Sequence, residues 1–267
     1  PATTQTITFT SGGVAQTHTF TGASLWSLLG AAGIQVNAVV KNDVLGKYVL
    51  ATGSDGYRTV YSLGELKTDF GNRGNLVAYA ETTGGVSAPL AGDGPFRSTA
   101  PGDLKGGRYV SNLVKLDVRG SGSTQAGTGG GASTQFTVSG AVAHPGSFAL
   151  ADLQALPVTE RTVGANTYKG VSLWDFLNGT AGLVLNAAVK NDVLGRYVVA
   201  TGSDGYQVVF SLGELEPGFG AQPDLIAYEM NGTPLTTNGF ARIVVPNDVK
   251  AGRWVSNLIS LEVFAAP

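Results

Sequence analysis

The chain has 267 residues, of which 43% are hydrophobic and 13% charged, with a formal net charge of −2; this describes a folded chain with room for two domains and excludes intrinsic disorder. Lys and Arg are scattered and form no run, which argues against a nucleic-acid partner. There is no cysteine, so disulfides, thiolate metal ligands and a cysteine nucleophile are excluded, and no apolar run approaches the roughly 20 residues of a membrane-spanning helix.

In chain order, TITFT (6–10) and THTFT (17–21) alternate polar and apolar residues around SGGVAQ, which predicts a β-hairpin. SLWSLLGAAG (24–33) is apolar at helical spacing, with Ser24 as N-cap and Gly30 or Gly33 near the end; this places Trp26 on the buried side. Residues 41–57, KNDVLGKYVLATGSDGY, read as strands around a GSDG turn, since Gly supplies positive φ and Asp tolerates the neighbouring position. SLGEL (62–66) starts a short helix or turn. Residues 120–134 are rich in Gly, Ser and Thr and too poor in apolar residues to fold. They read as a flexible tether of roughly 20 Å average span, which would let its neighbours sit side by side or swing apart.

Beyond the tether the pattern returns. KNDVLGRYVVATGSDGY (190–206) differs from residues 41–57 only at Lys47/Arg196 and Leu50/Val199. SLW recurs at 172–174, putting Trp174 on the buried side; Leu76 matches Leu225, Arg97 matches Arg242, Asp103 matches Asp248 and Arg108 matches Arg253. A repeat this long is a duplicated domain. The boundaries are 1–119 for repeat 1, 120–134 for the linker and 135–267 for repeat 2. LIAYEM, ARIVVP and RWVSNLISLEVF read as strands of repeat 2, with Pro246 ending its run. Repeat 1 carries extra residues near TTGGVSAPLAGDG. It has no equivalent of QFTVSGAVAHPGSFALADLQALP (135–157), so it either lacks a strand that repeat 2 owns or obtains one from elsewhere.

From FTVSGAVAHPGSFALADLQALP through YKGVSLWDFL to IAYEMNGTPLTTNGFARIVVPNDVKAGRWVSNLISLEV, repeat 2 resembles the molybdopterin-binding domain of the sulfite oxidase family, and repeat 1 follows by the internal match. The resemblance implies an α+β, predominantly β fold with a β-grasp-like element, here as two tandem copies. It also implies a molybdenum centre held by a pterin dithiolene and one cysteine thiolate, the cysteine falling just after the strand that begins near Val158-Thr159-Glu160. This chain reads VTERTVGANTYKG there, without cysteine, and carries Asn238 where the family commonly has a histidine before the glycine. Oxygen donors do not replace a soft sulfur ligand with equal affinity, so the sequence leans away from catalysis.

Several side chains have two readings. Asp55 and Asp204 read as turn aspartates, and Tyr57 and Tyr206 as aromatics at the core edge. Glu65 and Glu214, with Asp43 and Asp192, read as helix-end or salt-bridge residues ahead of paired acid–base carboxylates. Arg97, Lys105 and Arg108, with Arg242, Lys250 and Arg253, are the candidate cofactor-binding residues. Arg and Lys together suit a phosphate, another oxyanion or a pterin; alternatively they form an ion-pair network with Asp103 and Asp248. His18 and His144 are not equivalent, so no duplicated zinc or Ser-His-Asp site is expected, and a turn before Pro145 accounts for His144.

The function expected from these observations is a secreted, non-catalytic binding or structural module without a cofactor. It would assemble with itself, or with another secreted protein, by strand addition. The alternative is a molybdopterin oxidoreductase or a cofactor- or oxyanion-binding protein. Abundant Thr, Ser and Gly with few Lys, and a start at Pro1-Ala2-Thr3-Thr4, fit a processed secreted or periplasmic bacterial protein.

Overall fold

A computed structural model describes residues 1–267. Repeat 1 contains β1 (Ala2–Ser11), β2 (Val14–Ser24), α1 (Leu25–Ala31), β3 (Lys47–Gly53), β4 (Arg58–Ser62), α2 (Leu63–Leu66), β5 (Leu76–Thr83), β6 (Val86–Pro89), β7 (Arg97–Ser98) and β8 (Leu113–Gly120). Repeat 2 contains β9 (Gln135–Gly140), β10 (Gly146–Ala149), α3 (Leu150–Gln154), β11 (Thr159–Val163), β12 (Asn166–Ser172), α4 (Leu173–Asp175), β13 (Arg196–Gly202), β14 (Gln207–Ser211), α5 (Leu212–Leu215), β15 (Leu225–Met230), β16 (Thr233–Pro234), β17 (Arg242–Val244) and β18 (Leu258–Ala265). The fold is predominantly β, with short helices at strand ends.

Each repeat has two sheets. One is β1-β2-β5-β6 with β7 on β5, matched in repeat 2 by β11-β12-β15-β16 with β17 on β15. The other differs: β4-β3-β8 has three strands, whereas β10-β9-β18-β13-β14 has five. The predicted hairpin is present and longer than expected, its turn at Gly12 and Gly13 having positive φ. Ser24 caps α1 through the Ser27 amide (3.3 Å), as expected. The buried residues of α1 are Leu25 and Leu29; Trp26 and Trp174 are only half-buried, because the helix faces its sheet through the leucine stripe. After α4 the repeat 2 helix widens into a π-helical turn, Phe176–Ala181, that drives Phe176 and Leu177 into the core.

The repeats do not swing apart. Tyr48, Leu50 and Val60 of repeat 1 form one buried cluster with Tyr197, Val199 and Val209 of repeat 2, the Tyr48 and Tyr197 rings lying 4.4 Å apart. Leu45 and Phe70 of repeat 1 sit within the main core of repeat 2. Nor is the linker free. The Thr128 and Gly130 amides donate to the Ser203 carbonyl (2.7 and 2.9 Å), Ser203 Oγ donates to the Gly131 carbonyl, and Gln207 Nε2 donates to Ser123 and Gln125. A Gly-rich backbone is accepted flat against the turn at Ser203–Gly205, where a Cβ on Gly127 would come within 2.4 Å of the Gly205 nitrogen. The tether expectation failed because the linker is held by polar bonds, through its backbone and through Ser and Gln side chains, that leave no apolar signal in the sequence.

Candidate functional site

The duplicated stretch 41–57/190–206 builds the joint between the repeats. Asn42 Nδ2 donates to Tyr206 Oη and Asn191 Nδ2 to Tyr57 Oη, both at 2.9 Å. Each tyrosine donates onward to a backbone carbonyl of its own repeat, Gly107 or Gly252. The tyrosines lie at the core edge, as expected, and are also cross-repeat links. Asp55 and Asp204 are turn aspartates that accept from the amides of Tyr57 and Tyr206.

At the centre of the joint lie two buried arginines. Arg108 donates from Nε and Nη2 to Asp103 (both 2.7 Å) and from Nη1 to Glu65 (2.6 Å); Arg253 donates to Asp248 (2.8 and 2.6 Å) and Glu214 (2.7 Å). Both are 1% exposed. Each glutamate closes a capping box on its own helix and also accepts from the serine of the other repeat, Ser211 to Glu65 and Ser62 to Glu214, both 2.9 Å. The arginine stems cross the joint as well: a Cβ on Gly64 would meet Arg253 Cδ at 2.4 Å, and one on Gly213 would meet Arg108 Cδ at 2.7 Å. Burial pushes the Glu65 carboxyl upward against the pull of Arg108, with the Glu214 charge adding to the rise; the carboxylates around Arg108 and Arg253 hold both guanidiniums charged despite their burial. The network suits a fixed registry between repeats.

Of the six candidate cofactor-binding residues, Arg108 and Arg253 are therefore committed to carboxylates through all three guanidinium nitrogens, which argues against an anion-binding role for them. Arg97 pairs with Asp93 (2.6 Å) and stacks on Phe20. Lys250 is exposed and crosses to Asp69 of repeat 1 (2.6 Å); together with Lys67 it holds the Asp69 carboxyl down at about 2. Lys105 is exposed, facing Gly218 where Lys250 faces Asp69. Arg242 has no carboxylate partner; it stacks on Trp254, its Nε lacks an acceptor, and burial lowers its affinity for the proton. The structure does not bring these six groups into one site.

Sequence reasoning did not single out Asp224. Its carboxylate is buried with neither oxygen bonded, and burial drives its pKa well above the usual carboxylate range. Repeat 1 has Asn75 at this position, donating to the Thr99 carbonyl; comparing the repeats at that position would have exposed the difference.

The donor set does not fit a molybdenum centre ligated through sulfur. The segment Thr159–Val163 and its turn offer no thiolate, and no three His, Cys, Asp or Glu side chains form a group that could hold a metal ion. His18 bonds Glu81 between Phe9 and Phe20, and His144 is exposed.

The larger asymmetry is at the sheet edges. In repeat 2, β9 lies parallel to β18, pairing Ser260 with Thr137 and Leu261 with Val138. Phe136 enters an aromatic cluster with Phe148, Phe176 and Phe240 at centroid distances of 5.0–6.0 Å. In repeat 1, β8 is the last strand of its sheet. Leu116 and Val118 occupy the places of Leu261 and Val263, which are 0% and 1% exposed, but are themselves only half-buried. With Leu28 (38% exposed), Leu29 and Ile34 they line a groove of about 590 Å³.

Residues 156–267 match the oxidoreductase molybdopterin-binding domain. The match covers the elements that both repeats share and excludes β9 and β10. No curated protein matches the chain. Among solved structures it is similar to the sulfane dehydrogenase SoxCD from Paracoccus pantotrophus, with 20% identity over 56% of this chain and 42% of that chain and a TM-score of 0.37. The chain thus spans less than half the length of that protein.

Proposed function

We propose that this protein is a secreted or periplasmic, non-catalytic binding or structural module made of two copies of a sulfite-oxidase-like, β-grasp-containing domain without the metal-ligating cysteine. Its repeat 1 joins another subunit by strand addition. The observation that carries this reading is the bare β8 edge above an apolar groove, beside an otherwise equivalent edge that is filled. Main-chain hydrogen bonds would supply affinity and the groove specificity. The absence of a thiolate and the commitment of Arg108 and Arg253 to carboxylates support a non-catalytic role.

Two measurements test the reading. Natively purified protein, examined by light scattering and electron microscopy, is expected to form ordered oligomers or filaments, or to retain a bound partner. A clean monomer at high concentration with Leu116–Val118 fully protected from hydrogen exchange would overturn it. Protein expressed in a host that makes the cofactor is expected to carry neither molybdenum nor tungsten, and to release no pterin fluorescence on denaturation; stoichiometric metal would restore the oxidoreductase reading. An oxyanion-binding alternative draws on Arg242, which has no carboxylate partner. Calorimetric heat with sulfate, phosphate, molybdate or tungstate that disappears in Arg242→Ala would favour it.

A further inference from the structure

We infer that the groove of repeat 1 takes an extended segment of a partner polypeptide that runs parallel to β8. This segment presents an aromatic and a β-branched residue two positions apart to the groove, with small uncharged polar residues facing outward. The inference rests on the strand-addition reading and specifies the donor.

Repeat 2 is the template. Its own donor, β9, is QFTVSG, with Phe136 and Val138 buried and Gln135 and Thr137 exposed. Because β3 pairs β8 in the register with which β13 pairs β18, Leu116 stands for Leu261 and Lys115 for Ser260. A parallel donor therefore sets its Val138-like residue opposite Leu116 and its Thr137-like residue opposite Lys115. The Phe136-like residue then falls towards Leu28 and Leu29, which replace Phe176 and Leu177. The smaller Leu28 leaves space where repeat 2 has an aromatic ring.

Charge points the same way. Along β8, Lys115 and Arg119 both pair with Asp117 (3.1 and 2.6 Å), a row that satisfies itself and requires no charge from the donor. Exposed charges of this kind also discourage indiscriminate edge pairing, which makes the apolar fit in the groove the selecting feature.

The β9–β10 hairpin of a second copy does not serve as the donor. The chain holds two such edges and one β9–β10 hairpin. If two copies exchange hairpins, each chain still has one bare edge, so the exchange gains no pairing. A segment arriving from elsewhere adds a full set of strand hydrogen bonds and buries the groove.

The test uses the full chain and a synthetic peptide of residues 134–149, TQFTVSGAVAHPGSFA, followed by fluorescence anisotropy. Saturable binding is expected, weakened about tenfold or more by Phe136→Ser in the peptide and abolished by Leu116→Asp in the chain. The absence of native cysteine makes register directly readable: Lys115→Cys in the chain and Thr137→Cys in the peptide are expected to form a disulfide in glutathione buffer, and Asp117→Cys likewise with Ser139→Cys. Binding with the cross-link at other pairings overturns the parallel, β9-like donor and leaves strand addition standing. No binding, with the outward-facing amides within Lys115–Val118 exchanging freely, overturns the donor chemistry; no binding with those outward-facing amides protected overturns strand addition too. Oligomers that form through the chain's own residues 135–149 and dissolve on adding the peptide overturn the outside source.

Discussion

The edges at β8 and β18 end the same sheet in two copies of one domain, yet one is bare and the other is covered. Each has the same central strand beside it and the same GSDG turn at that strand's end. The difference comes from residues 121–149, which cover first the Ser203 turn and then the β18 edge. Ser203 is 2% exposed, whereas Ser54 at the equivalent turn lies open. Two copies of one domain can thus match at their joint and differ at their periphery, and one copy displays the edge that the other covers.

The comparison can be broken first at the joint, where the repeats should behave alike. Arg108→Ala and Arg253→Ala each leave buried carboxylates without a partner, and each is expected to cost about 3–5 kcal/mol in denaturant unfolding. A large difference between the two would show that the joint is not symmetric in energy. At the edges the repeats should differ. Leu261→Ala, in a filled core, is expected to cost about 2–5 kcal/mol, and Leu116→Ala, half-buried, under about 1 kcal/mol. Equal costs would mean that the β8 edge is already covered in solution.

Asp224→Asn copies Asn75 into repeat 2 and is expected to stabilise the protein at pH 7 by about 1–3 kcal/mol. The sign follows from the raised pKa of Asp224, whose neutral form the fold favours. Its contribution to stability is fully present below the unfolded value near 3.8 and is lost as pH rises towards the folded value. The advantage of the variant should therefore grow from pH 4 to pH 7, and a pH-independent difference would refute the assignment. Smallest, Asn42→Ala and Asn191→Ala should each cost about 1 kcal/mol by thermal unfolding, through the lost tyrosine contact.

Much of each repeat was legible in the sequence. Asp-Gly between alternating apolar runs specified the β3–β4 and β13–β14 hairpins, and Ser24 before an apolar helical stripe specified the start of α1. Both are local signals carried within a few residues. Arg108 with Asp103, and Arg253 with Asp248, were visible as candidate ion pairs because they are close in sequence. Glu65 and Glu214 were visible as helix-end or salt-bridge residues, but their particular arginines and the serines that cross the joint were not. Trp26 and Trp174 were placed on the buried side because helical spacing identifies an apolar face but not how much of it the sheet covers.

By itself the sequence determined that residues 1–267 hold two copies of one predominantly β domain, that no thiolate among them can hold a metal, and that residues 135–157 have no counterpart within residues 1–119. Only the tertiary structure decided that the copies lock together through Asn42, Tyr206, Asn191 and Tyr57, that the Gly-rich linker lies against repeat 2, and that a groove with apolar lining lies beside the unpaired edge of β8. The physical reason is range: turns, caps and strand alternation depend on neighbouring residues, whereas burial and cross-repeat bonds depend on which distant surfaces meet, as when Asn42 reaches Tyr206 across the joint.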